Sequence, residues 1–67
     1  MITVTVNGEA RQFEAALRFE QLVERLGLAG KRIAVERNGE IVPRSQFSTR
    51  ELADGDRLEI VVAVGGG

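Results

Sequence analysis

Ile2-Thr3-Val4-Thr5-Val6-Asn7-Gly8 decides how the rest of the chain is read. Ile2, Val4 and Val6 alternate with Thr3 and Thr5, the period of two that turns one face of a strand inward and the other toward water. All five are β-branched, which suits a pleated surface better than a helix. Asn-Gly follows at once, and both residues tolerate the positive φ of a two-residue hairpin turn. The chain therefore doubles back. Residues 9–14 read as the return strand, with Phe13 as its contact with a core.

Beyond the hairpin the period changes. Phe19, Leu22, Val23 and Leu26 stand at i, i+3, i+4 and i+7, with Glu20, Gln21, Glu24 and Arg25 opposite, which predicts an amphipathic helix of about three turns. Gly27 or Gly30 can end it in the left-handed conformation. No Ser, Thr, Asp or Asn lies just upstream to cap its start. Residues 33–35 form a short apolar strand, Asn38-Gly39 is a second turn signal, and Ile41-Val42 is a short extended run that Pro43 ends. Residues 44–52 read as a turn or one 3₁₀ turn anchored by Phe47 and Leu52. Asp54-Gly55-Asp56 is a tight polar turn, and residues 57–64 are the strongest strand. The expected core is Ile2, Val4, Phe19, Leu22, Leu26, Ile33, Leu58 and Ile60.

One helix must cover one face of the sheet, since nothing else can bury Leu22 and Leu26. The expected fold is α+β, a roll in which a mixed four- to five-stranded sheet packs on one main helix. With 67 residues the chain is expected to be one domain, residues 1–67, with a flexible glycine tail at 65–67.

Composition narrows the chemistry. There is no Cys and no His or Tyr, so disulfides, thiol nucleophiles, the usual proton shuttle and the common transition-metal ligands are absent. Nine basic residues meet ten acidic ones without a basic block, and the three aromatics are Phe, which argues against nucleic-acid binding. No stretch approaches the roughly 20 apolar residues that span a bilayer, and the amino terminus lacks the pattern of a signal peptide. No membrane partner and a cytoplasmic location are expected. An autonomous enzyme is the least favoured reading.

Two places can carry function. Gly65-Gly66-Gly67 follows directly from the most apolar strand. It is a thin finger without side chains, of at most roughly 10 Å. It ends in a carboxylate that is ionised at neutral pH and unhindered at its acyl carbon. Such a group can attack the α-phosphate of a nucleotide held by another protein, which makes this chain the substrate. A frayed terminus is the alternative. On the last strand, Leu58, Ile60, Val62 and Val64 share one face, and Glu59, Val61 and Ala63 the other. Val61 and Ala63 break the polar pattern of an outer face beside the tail. A docking patch is favoured there over an apolar central strand or cover by the irregular segment. Arg44 is a weaker candidate for meeting an acidic partner. Asp54 and Asp56 read as turn formers rather than paired catalytic carboxylates.

Asn38-Gly39, Ile41-Val42-Pro43-Arg44, the Asp54-Gly55-Asp56 turn with Leu58-Glu59-Ile60 behind it, and the terminal glycines together resemble the ThiS family over the full length. These are sulfur carriers of thiamine-thiazole biosynthesis with a ubiquitin-like β-grasp fold. Gly65 departs from the pattern, where a side chain is expected. The resemblance implies that an E1-like adenylyltransferase of the ThiF type uses MgATP to adenylate the Gly67 carboxylate. A sulfur donor (a cysteine desulfurase or persulfide) then replaces AMP to leave a thiocarboxylate, and thiazole synthase of the ThiG type takes the sulfur. No cofactor is bound by the chain itself, which is expected to be a monomer when free. Val61, Ala63 and Arg44 are the expected partner-binding residues, and Gly65 and Gly66 the tail. Related carriers for molybdopterin, tRNA thiolation or cysteine synthesis, a ubiquitin-like modifier, and a plain interaction module are the other readings. Lys31 is the only lysine, which argues against extensive chain formation on itself.

Overall fold

The structure is a computed structural model that describes residues 1–63; the expectations for Val64 and for the tail at 65–67 lie outside the described residues. Its elements are β1 (Ile2–Val6), β2 (Glu9–Phe13), α1 (Phe19–Arg25), β3 (Ile33–Arg37), β4 (Glu40–Ile41), a 3₁₀ turn (Arg44–Gln46) and β5 (Arg57–Val62). The sheet order is β2-β1-β5-β3-β4. β1 and β5 run parallel at its centre, and the other pairs are antiparallel. This is the expected α+β roll, a five-stranded ubiquitin-like β-grasp. Both Asn-Gly pairs turn as their sequence requires. Asn7 and Gly8 have φ of 51° and 86°, and Asn38 and Gly39 have 50° and 88°, values that fit type I′ hairpin turns.

The parallel β1–β5 ladder is short, and side chains lengthen it at both ends. Asn7 N–H donates to Leu58 O, while the Asp54 carboxylate accepts from Thr3 N–H at 2.8 Å before the first rung. After the last rung, the Asn7 amide takes the place of a strand. Its Oδ1 accepts from Ile60 N–H at 2.8 Å and its Nδ2 donates to Ile60 O at 3.0 Å.

α1 has seven residues, about two turns rather than three, because Leu26 is its C-cap. Gly27 lies at φ 74° and donates to Glu24 O, and Leu28 N–H donates to Val23 O, the paired bonds of a Schellman stop. Its start has no short polar cap. The Gln21 side chain accepts from Arg18 N–H at 2.9 Å, and the carbonyls of Arg50 and Phe47 accept from the first-turn amides of Phe19 and Glu20 at 3.0 Å each. Residues 44–52 thus complete the helix. Phe47 is buried with its ring 6.1 Å from that of Phe19, and Leu52 is buried with its N–H on Leu17 O.

Of the expected core, Val4, Phe19, Leu22, Leu58 and Ile60 are buried, while Ile2, Leu26 and Ile33 are only partly buried against it. Leu17, Val35 and Val42 join the interior beyond that expectation. Strand ends differ slightly as well. The return strand stops at Phe13, and β3 continues to Arg37 because Glu36 and Arg37 keep partners on both β4 and β5. Phe13 is only partly buried and has the Arg25 guanidinium 5.8 Å from its ring centre.

Candidate functional site

The site is built on β5, whose two edges are occupied as far as Ile60 and whose far end keeps partners on the β3 side alone. Alternation divides the strand. Leu58 and Ile60 point under α1 and are buried, whereas Arg57, Glu59, Val61 and Ala63 lie outward and are exposed. Val61 is 64% exposed, Ala63 is exposed, and Ala34, directly opposite Val61 on β3, is exposed too. Ile41 of β4 is 71% exposed and pairs with Glu36. The outer face therefore carries a small apolar patch of Ala34, Ile41, Val61 and Ala63, with Glu36 and Glu59 beside it. Residues 44–52 do not cover it, because they are committed to the start of α1. Val62 lies on the helix-side register but is 39% exposed.

Arg44 is exposed, and the structure brings it to the same end of the sheet as Ala63. Its Nη2 donates to Lys31 O at 3.1 Å, and the next carbonyl, of Arg32, accepts from Ala63 N–H at 2.9 Å. The reason is directional: residues 40–44 run alongside β3 toward its first residue, which is where β5 leaves. Ile41, Ala34, Lys31 and Arg32 were missed as site residues. The signal for Ile41 was its alternation with buried Val42; Lys31 and Arg32 had none, since only the β3–β5 register places them beside Ala63. Gly65, Gly66 and Gly67 lie outside the described residues.

The two acids of the polar turn are not a catalytic pair. Asp54 accepts from Thr3 N–H. Asp56 is buried, and its carboxylate accepts from Ala53 N–H at 2.8 Å, from the Arg37 guanidinium at 3.1 Å and from Asn38 Nδ2 at 3.3 Å. These bonds secure the start of β5 and leave the carboxylate of Asp56 no open side for a reactant. Among the described residues no group of three or more His, Cys, Asp or Glu is placed to hold a metal ion, and no helix is long and apolar enough to cross a membrane.

A five-stranded grasp around one helix agrees with what related proteins show. A family model described as the ThiS family matches residues 4–67. The chain belongs to the ThiS family. The crystal structure of a thiamine biosynthesis protein (ThiS) from Geobacter metallireducens superposes with a TM-score of 0.82 at 32% identity, covering 98% of this ThiS-family chain and all of that one. Two curated relatives are each named thiazole synthase. One, from Paramagnetospirillum magneticum, is 47% identical over 96% of this chain, and the other, from Magnetococcus marinus, is 38% identical over the same share. The chain spans about one fifth of the length of either, 20% in both cases.

Proposed function

We propose that this ThiS-family chain carries sulfur for the thiazole ring of thiamine on the carboxylate of Gly67. A carboxylate oxygen attacks the α-phosphorus of ATP on a ThiF-type adenylating enzyme, and pyrophosphate leaves. The terminal sulfur of a persulfide then attacks the acyl carbon of the adenylate and AMP leaves, forming an acyl disulfide. A second thiol reduces that bond, giving the thiocarboxylate and a protein disulfide. Thiazole synthase takes the sulfur from it. The chain contributes no acid or base to these steps. It contributes an acyl carbon without a neighbouring Cβ and a rigid body that docks through Val61 and Ala63, with Arg44 at the margin.

The observation that carries this reading is the family match extending through Gly67, with the apolar patch placed where the strand leaves the sheet. Thiazole, rather than another sulfur acceptor, is favoured by relatives that bear the name thiazole synthase. The test is intact-mass spectrometry after incubation with the adenylating enzyme, MgATP and a persulfide donor. The chain ending in Gly67 is expected to gain the mass difference between sulfur and oxygen. One residue added after Gly67 displaces the carboxylate by roughly 3.5 Å, and misplacement of about 1 Å already costs on the order of 10²-fold in a catalytic site, so the extended chain is expected to stay unmodified. An extended chain that acquires sulfur at the wild-type rate overturns the assignment to Gly67.

A further inference from the structure

Three of the nine basic residues gather at one end of the molecule, and it is the end where β5 leaves. Lys31, Arg32 and Arg44 are far apart in sequence terms from Ala63, yet the chain of contacts Arg44 to Lys31 O and Ala63 to Arg32 O ties all four together. The cluster rests on a fixed backbone, since Lys31 N–H donates to Leu28 O in a turn. Among the described residues, the ion pairs are Arg37 with Asp56 and Arg11 with Glu9; neither uses Lys31, Arg32 or Arg44. Glu20 and Glu24 line the groove that Arg44 borders but do not pair with it.

The outer face of the sheet is graded toward this cluster. Glu36 and Glu59 stand opposite each other with Arg57 beyond Glu59 on the same face, Ala34 and Val61 form the next pair, and Arg32 meets Ala63 beyond them. Same-face neighbours on a strand are roughly 7 Å apart, so the acidic pair and the basic end are separated by roughly 14 Å. That exceeds the Debye length of about 8 Å at physiological salt, so a partner surface meets the two charges as separate fields. An apolar patch alone permits several rotations of a partner about its normal. A wholly basic end, opposite one where Glu36 and Glu59 outnumber Arg57, selects one.

We propose that Lys31, Arg32 and Arg44 dock an acidic lip at the mouth of the adenylating enzyme's tail channel, which orients the body as the glycine tail enters. The proposal rests on the sulfur-carrier reading and names the partner chemistry at the root of its tail. The cations act on the partner's surface and not on the reacting carboxylate. Gly67 is four residue steps beyond Ala63, a reach of up to roughly 13 Å when extended, longer than the screening distance.

The experiment is ATP–pyrophosphate exchange with the adenylating enzyme, followed against concentration of the carrier at low and high salt. Absence of exchange with the wild-type chain overturns the sulfur-carrier reading itself. Where wild type exchanges, Lys31→Glu/Arg32→Glu/Arg44→Glu is expected to raise KM about tenfold or more at low salt with kcat unchanged, in line with the 10–10³-fold reach of electrostatic steering. The two proteins are expected to converge near 1 M salt, where the Debye length falls to about 3 Å. Arg32→Glu alone is expected to raise KM more than Arg11→Glu, which makes the same charge change on β2. Thermal melting checks each fold, and Lys31→Gln/Arg32→Gln/Arg44→Gln repeats the test should reversal unfold the chain. Equal KM for the triple variant and wild type, equal effects of Arg32→Glu and Arg11→Glu, or a loss confined to kcat each overturn the proposal.

Discussion

The two faces of β5 both carry branched apolar side chains, and these have opposite environments. Leu58 and Ile60 are sealed under α1, with Leu58 fully buried, while Val61, the residue after Ile60 and on the other face, is 64% exposed. Burial of a Leu, Ile or Val removes about the same area from water wherever it happens, roughly 1.5–3 kcal/mol each. On the inner face that energy is used in folding. On the outer face it is not used in folding, and the proposed docking draws on it. Hydrophobicity alone therefore does not separate a core residue from an exposed one in this strand; position relative to the helix does.

The sharpest way to break this contrast is Leu58→Ala, which should destabilise the protein by about 3 kcal/mol, within the range for deleting a fully enclosed leucine. For a domain this small that is a large share of a total stability of about 5 kcal/mol. Urea titration measures it, and a midpoint equal to wild type would mean the inner face is not sealed. A smaller effect sharpens how the strand is held. Asn7→Gly keeps the positive φ available but removes both bonds to Ile60, and should cost about 1 kcal/mol. Faster hydrogen exchange at Ile60 than at Leu58 in that variant would locate the loss. Unchanged protection there would show that the amide is dispensable. Smallest in stability is Val61→Asp, expected to shift folding by less than about 0.5 kcal/mol because the site is wet. The same change should weaken binding to the adenylating enzyme, since a carboxylate must then be desolvated in the contact. Calorimetry of the complex beside a thermal melt separates the two faces: normal binding, or an unfolded variant, removes Val61 from the docking patch.

Much of this contrast is legible in the sequence alone. Alternation in residues 57–62 assigned Leu58 and Ile60 inward and Val61 outward, because the side-chain period of a strand is fixed by backbone geometry. The helix face was legible for the same reason. Its length was not, since residues 19–26 keep the periodic pattern through Leu26 while Gly27 imposes the stop one residue earlier. Asp56 was legible as a turn former but not as a buried acid, because Arg37 and Asn38 reach it from a different hairpin.

By itself the sequence determined the elements whose cause is local: the two Asn-Gly turns, the alternation of β1 and β5, the apolar stripe of α1, and the break at Pro43. What only the tertiary structure decided has partners distant along the chain. The first-turn amides of α1 are satisfied by Phe47 and Arg50, the parallel ladder is lengthened by Asp54 and Asn7, and Arg44 is carried to the strand end at Ala63. A backbone carbonyl is the same acceptor at every residue, so sequence carries no mark of which one will cap a remote helix. Only the register of the folded sheet makes that choice.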